Sequence, residues 1–190
     1  MTIIRPIIIG AQLPTGDYDD ALREALLQAE RFFDSYGMLL ELRPIEKYAT
    51  DQIDYTLANP WTQVAQFCQW LLETDEKAVV FLEGWDVPGN RGWGGNPVAV
   101  LGEYAIRILV SKGTPEAIVD DGITGGIIGH EIGHVLGYGH DLVYPNNIMW
   151  TGCYNFPNTY PSLAMTDAAR GGSPARLMGT HDAGPCPLHA

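Results

Sequence analysis

Apolar residues along the chain recur in two spacings, and each spacing predicts a different element. Ile7-Ile8-Ile9 is an unbroken apolar run of the kind buried on both faces of a sheet, so a strand is expected from Ile7 to Leu13, with Pro6 marking its start. From Asp17 to Tyr36 the apolar positions are Tyr18, Leu22, Ala25, Leu26, Ala29, Phe32, Phe33 and Tyr36, which is helical spacing. Asp17 suits its N-cap and Gly37 its stop. Met38 to Ile45 reads as a second strand. Asn59 to Leu72 reads as a second helix, with Asn59 as cap, Pro60 in the first turn, and Trp61, Val64, Ala65, Cys68, Leu71 and Leu72 on one face. Ala78 to Leu82 is a third strand. Strand, helix, strand, helix, strand in this order predicts an α/β domain whose partly parallel sheet is covered by helices.

From Glu83 to Asn96 the composition shifts to Gly, Pro, Trp, Asn and Asp, which predicts a long loop. No Lys-Ser or Lys-Thr follows its glycines, so it matches no phosphate-binding fingerprint. Trp85 and Trp93 are placed there either to contact a substrate or to pack the loop on itself. Val98 to Glu103 and Ala105 to Val110 read as two short strands, and Thr114-Pro115-Glu116 opens the run into a helix from near Ile123 to Gly137. Gly125, Gly126, Gly129 and Gly133 each disfavour that helix by about 1 kcal/mol relative to Ala, and close packing against the sheet is their expected compensation. Beyond His140 the chain is turn-rich, with a short helical segment near Ser162 to Arg170.

Within that helix lies the chemistry. His130-Glu131-Ile132-Gly133-His134-Val135-Leu136-Gly137-Tyr138-Gly139-His140 spells H-E-x-x-H-x-x-G-x-x-H. Histidines four residues apart on a helix share one face, so His130 and His134 can reach one ion. Zinc accepts imidazole nitrogens in a tetrahedral site, and a catalytic site has three protein ligands and one water. A third ligand must come from chain that has left the helix, because the next turn offers Tyr138. Gly137 permits the exit, since glycine enters left-handed conformations at little steric cost, and His140 follows. Glu131 points to where the water belongs and can take its proton. The five-position pattern is far more selective than a lone H-E-x-x-H.

The motif resembles that of the metzincins, the zinc endopeptidases that include astacins, serralysins, adamalysins and matrix metalloproteinases. The resemblance implies a methionine in a tight turn beneath the zinc, and Met149 in Asn147-Ile148-Met149-Trp150 stands where it belongs. It also implies a twisted mixed sheet and active-site helix in an upper lobe of about 1–137, a mostly irregular lower lobe of about 138–190, and a cleft between them. Together the two lobes make a single catalytic domain. By the same resemblance Val98, Ala99, Val100 and Leu101 form the antiparallel edge strand that pairs with an extended substrate. Tyr154 and Tyr160 are candidates to line the pocket in the lower lobe. Three features depart from subfamily patterns. Two helices precede the active-site helix where one is common. Thr151 stands where astacins and serralysins carry tyrosine. Asp141 resembles the adamalysins, whose cysteine pattern is missing.

Composition changes this picture little. A chain of 190 residues, 46% hydrophobic and 18% charged, suits one globular domain, and a net charge of −12 argues against nucleic acid and anionic membranes as partners. No segment is long and apolar enough for a transmembrane helix, and the opening residues leave no room for a signal peptide, so the protein is expected outside the cell only if a leader was removed, and otherwise in the cytoplasm. Cys153 and Cys186 are placed for one disulfide or for free thiols, with Cys68 in a helical face. His181 and His189 read as solvated tail residues. The expectation is a monomeric zinc endopeptidase acting on protein or peptide. A zinc hydrolase of a small amide or ester and a non-catalytic zinc-containing binding module are the other readings, and the intact Glu131 counts against the second.

Overall fold

The computed structural model describes residues 1–16, 18–34, 36–85, 92–102, 123–140 and 149. Among these residues the fold is mixed α/β, with one six-stranded sheet and three helices. The strands are β1 (Thr2–Gly10), β2 (Leu40–Leu42), β3 (Glu46–Ala49), β4 (Glu76–Leu82), β5 (Gly92–Gly94) and β6 (Val98–Leu101), and the helices are α1 (Asp19–Asp34), α2 (Trp61–Cys68) and α3 (Ile123–Val135). The sheet runs β2-β1-β4-β6-β5, with β3 beside β1. All pairings are parallel except that of β5 with β6.

The isoleucine run lies at the sheet centre, and Ile7, Ile8 and Ile9 are wholly buried, as expected. Side chains alternate across a strand, so Ile4, Ile8, Val79, Phe81, Ala99 and Leu101 face α1 and α3, while Ile7, Ile9, Ala78, Val80, Leu82, Val98 and Val100 face α2. The α1 stripe of Leu22, Ala25, Leu26, Ala29 and Phe33 is buried. Helices on opposite faces follow from crossovers that step in opposite directions along the sheet, from β1 to β2 through α1 and from β3 past β1 to β4 through α2.

Several boundaries differ from expectation. β1 begins at Thr2 and runs through Pro6. Thr2 donates to Leu39, and Ile4 and Gly10 accept from Arg43 and Thr50, so even-numbered residues point their backbone groups to the β2 and β3 side. The donor that Pro6 lacks therefore falls in the gap between those two strands, where no ladder bond is lost. Past Gly10 the chain folds back: a Cβ there would lie 2.7 Å from the Gln12 carbonyl, which ends the strand short of Leu13. The expected second strand is two short ones, interrupted at Pro44. α1 ends earlier, at Asp34, capped by Gly37 at φ 76°; Asp17 lies outside the described residues. α2 stops at Cys68 because the chain tightens there, with Leu71 and Leu72 both donating to the Cys68 carbonyl. Asn59 does accept from the Trp61 N–H, at 2.9 Å.

The larger correction concerns the edge. Val98, Ala99, Val100 and Leu101 are not an antiparallel edge strand: they are fully buried, parallel to β4 on one side and paired with β5 on the other. With both rows of backbone groups engaged, they have nothing left for a substrate. Among the described residues the antiparallel edge is Gly92–Gly94, within the stretch expected to be loop. Trp85 is a core residue, its Nε1 donating to the Leu57 carbonyl at 2.9 Å. Cys68 is free and buried, and burial pushes its thiol up to about 12. The expected strand Ala105 to Val110, the segments beyond His140 other than Met149, and Cys153 and Cys186 lie outside the described residues.

On the α2 face, Arg5 ties three pieces of chain together. Its Nε and Nη2 donate to the Glu46 carboxylate, each at 2.7 Å, and its Nη1 donates to Glu76 at 3.0 Å and to the Leu71 carbonyl. Tyr48 adds a 2.6 Å bond to Glu46. These charge-assisted bonds, Arg5 foremost, hold the Glu46 carboxyl below the usual carboxylate range. A depressed folded value contributes stability above the unfolded value of about 4.3 and loses it as pH falls through the folded one. Glu46→Gln is therefore expected to lower the unfolding free energy at pH 7 by about 1 to 3 kcal/mol and to flatten its fall in acid. Urea titrations from pH 7 to pH 3 check this; parallel curves for the two proteins would remove the assigned role.

Candidate metal centre

α3 is a helix in spite of its glycines because its sheet-facing side is apolar and buried, with Ile128, Ile132 and Val135 in the core shared with α1. Its ending is specified by Gly137, at φ 93°. The Gly137 N–H donates to the His134 carbonyl and the Tyr138 N–H to the Gly133 carbonyl, both at 2.9 Å. This pair of bonds is the Schellman motif, with glycine at the left-handed position. It turns the chain back toward the helix. His140 is thereby brought to the two helical histidines.

The three imidazoles meet at their Nε2 atoms. His130 to His134 is 3.1 Å, His130 to His140 is 3.2 Å and His134 to His140 is 3.0 Å. His130 and His134 are buried and His140 is half-buried. The Nδ1 atom of His134 lies 2.9 Å from the Tyr138 carbonyl, which only accepts, so the ring proton sits on Nδ1 and Nε2 presents a lone pair. A tetrahedral zinc with nitrogens at about 2.05 Å separates them by about 3.3 Å. The observed triangle is close to that, and a donor set of three imidazole nitrogens is what zinc accepts. Among the described residues this is the one group of three that can hold a metal ion.

Glu131 lies one residue after the first histidine, buried between α3 and β5. Burial pushes its carboxyl up to about 8, and its Oε2 has no hydrogen-bond partner among the described residues. The carboxylate is packed against glycines: a Cβ at Gly92 would come within 2.6 Å of Oε1, and one at Gly94 within 2.6 Å of Oε2 and against the His134 side chain. Trp93, between them, packs on the opposite face with the α2 core. Sequence reasoning missed Gly92 and Gly94. Their signal was the alternation of Gly, Trp and Gly two residues apart, the period of a strand with one face too close to its neighbour for a side chain.

Met149 is fully buried, and its sulfur lies against Gly133, where a side chain would collide with it. It thus contacts α3 at the residue before the second histidine. Tyr154, Tyr160, His181 and His189 lie outside the described residues.

The tightness at Gly94 has a measurable consequence. Gly94→Ala is expected to destabilise the protein by about 1 to 3 kcal/mol, since overpacking forces neighbours to move. Gly95→Ala, whose added carbon would meet only the edge of Trp61 at 3.1 Å or more, is expected to cost less. Urea denaturation of both variants tests this; equal losses would mean that the contact with His134 and Glu131 does not limit the position.

No family model matches the chain, and no curated protein matches it in sequence. Solved structures do. An archaemetzincin from Methanopyrus kandleri is 14% identical, with 77% of this chain and 80% of that one covered and a TM-score of 0.48. The crystal structure of a zinc-dependent peptidase from Methanocorpusculum labreanum is 15% identical, covers 92% of this chain and 99% of its own, and gives a TM-score of 0.52. At that identity the likeness is one of fold: this chain is built on a fold that a zinc-dependent peptidase also uses.

Proposed function

We propose that this chain is a zinc-dependent endopeptidase of metzincin type, a single catalytic domain with an upper lobe of about 1–137 and a lower lobe of about 138–190. The observation that carries the reading is the triangle of Nε2 atoms 3.0 to 3.2 Å on a side, with a buried carboxylate on the same helix. A fold shared with a zinc-dependent peptidase supports it.

His130, His134 and His140 are the metal ligands in this reading, and Gly137 is the pivot that lets the third reach the other two. When bound, the zinc supplies Lewis acidity toward a water and toward the scissile carbonyl. Glu131 takes the water's proton as the new C–O bond forms, and returns it to the amine nitrogen as the C–N bond breaks. No residue is acylated. The buried site of Glu131 suits that work, because a carboxyl away from bulk water, its Oε2 without a hydrogen-bond partner among the described residues, exchanges protons with what faces it and not with solvent. Met149 serves as the apolar floor below the ligands, the metzincin methionine, on the strength of its contact with Gly133.

The substrate's grip falls to β5. Among the described residues Gly92–Gly94 is the sheet edge and also covers Glu131, so a peptide added along it as a further strand would run past the base. Extended backbone pairing distinguishes this reading from hydrolysis of a small amide or ester. Peptides of six or more residues are expected to be cleaved at least tenfold more efficiently, in kcat/KM, than dipeptides or small esters. Comparable turnover of all three would move the assignment to a small-molecule hydrolase.

Glu131→Gln should leave zinc content near one per chain while peptide cleavage falls by about 10² to 10⁴. His134→Ala should lose metal and activity together, since two imidazoles make a much weaker site. Metal analysis and peptide cleavage on the same preparations decide the matter; an unmodified rate for Glu131→Gln would place any activity elsewhere.

A further inference from the structure

After Leu136, whose N–H still donates to the Ile132 carbonyl, the three residues Gly137-Tyr138-Gly139 lead from α3 to His140. Glycine on both sides gives this arc more conformational freedom than any other residue pair would. A triangle of ring nitrogens held to 3.0–3.2 Å needs that freedom removed. Tyr138 is the one residue of the three with a side chain to do it. Its backbone is engaged at both ends: its N–H donates to the Gly133 carbonyl and its own carbonyl accepts from His134 Nδ1, each at 2.9 Å. Its phenol reaches out of the site and donates to Met38 Sδ at 2.9 Å, a residue 100 positions earlier.

Met38 is itself held fixed. It follows Gly37, and the two close α1 with the same bond pair that closes α3: Gly37 N–H to Asp34 at 2.8 Å and Met38 N–H to Phe33 at 3.0 Å. The residue after the capping glycine of one helix therefore touches the residue after the capping glycine of the other. Both side chains are partly buried against the core that α1 and α3 share.

From this geometry we infer that Tyr138 is a positioning residue of the metal centre, its tether to Met38 fixing the carbonyl that orients His134 and the arc that carries His140. The inference rests on the three histidines being the zinc ligands. Groups behind a ligand histidine fix its tautomer and ring angle, and their loss weakens metal binding by about 10- to 100-fold. Tyr138 does this through its backbone, and its side chain determines where that backbone lies.

The test separates positioning from packing. Tyr138→Phe keeps the ring and removes the hydroxyl; Met38→Leu keeps the volume and removes the acceptor. Zinc affinity is measured by chelator competition, the visible absorption of the cobalt(II)-loaded protein reports ligand geometry, and Tm of the metal-free protein reports packing. Each single variant is expected to bind zinc about tenfold more weakly, with a changed cobalt spectrum and a metal-free Tm within a few degrees of the parent. The double variant should be no weaker than either single one, because both remove the same contact. Affinities and spectra equal to the parent's, or losses that multiply in the double variant, overturn the proposal. A parent protein that takes up no zinc overturns the ligand assignment itself, an outcome distinct from a parent that binds zinc and variants that bind it equally well.

Discussion

Three imidazole nitrogens brought within 3.0 to 3.2 Å of one another make a donor set that a single cation can bridge. The arrangement is most defined at His134, whose Nδ1 donates to the Tyr138 carbonyl and whose Nε2 faces the other two rings. Much of the surrounding structure follows from bringing such nitrogens together and keeping bulk solvent from the carboxylate beside them. The helix supplies two by its period. The left-handed turn at Gly137 supplies the third, and the hydrogen bonds that close this turn are the same ones that aim the carbonyl at His134. One local device thus ends the helix, returns the chain and sets a tautomer.

The helix must also be held still, and that is the work of the sheet. Ile128, Ile132 and Val135 anchor α3 in the core built by α1 and the even-numbered face of β1. At about 25 cal/mol per Å² of apolar surface removed from water, such a face is worth several kcal/mol, enough to overcome the low helix propensity of Gly129 and Gly133. Gly133 returns part of that cost by letting the buried sulfur of Met149 reach the helix backbone. The charged network around Arg5 lies on the other face, with α2, where it joins β1, β3 and β4 without bringing charge near the histidines.

What could be read from the sequence divides by range. The histidine motif, the isoleucine strand, the stripe on α1 and the capping role of Gly137 are local patterns, in which spacing along the chain is spacing in space. Strand order is different, because pairing of residues tens of positions apart leaves only indirect traces. Val98-Ala99-Val100-Leu101 is an unbroken apolar run, and that is the signature of a strand covered on both faces, like Ile7-Ile8-Ile9; reading it as an edge followed the family pattern over the residues' own. Pro6 looked like a boundary because a proline inside a strand normally removes a ladder bond. Here the missing donor falls between two partner strands, a coincidence of register that no local pattern announces. Residues 92–94 read as loop because glycines weaken strands, a true rule that is outweighed here.

The reason it was outweighed completes the account of the site. Glycine in a strand costs about 0.5 to 1 kcal/mol relative to alanine and contributes no side chain to packing. β5 has two in three residues; both face Glu131, and Gly94 also faces His134. The burial they forgo is supplied from the other face: Trp93 packs with the α2 core, Gly95 lies against the Trp61 indole, and Trp61 Nε1 donates to the Val98 carbonyl at 2.7 Å, pinning the start of β6 beside which β5 lies. Aromatic mass behind the edge strand lets its front be bare backbone. A bare front fits directly over a carboxylate and a histidine side chain, so the two tryptophans behind the strand are part of what lets β5 close on Glu131 and His134.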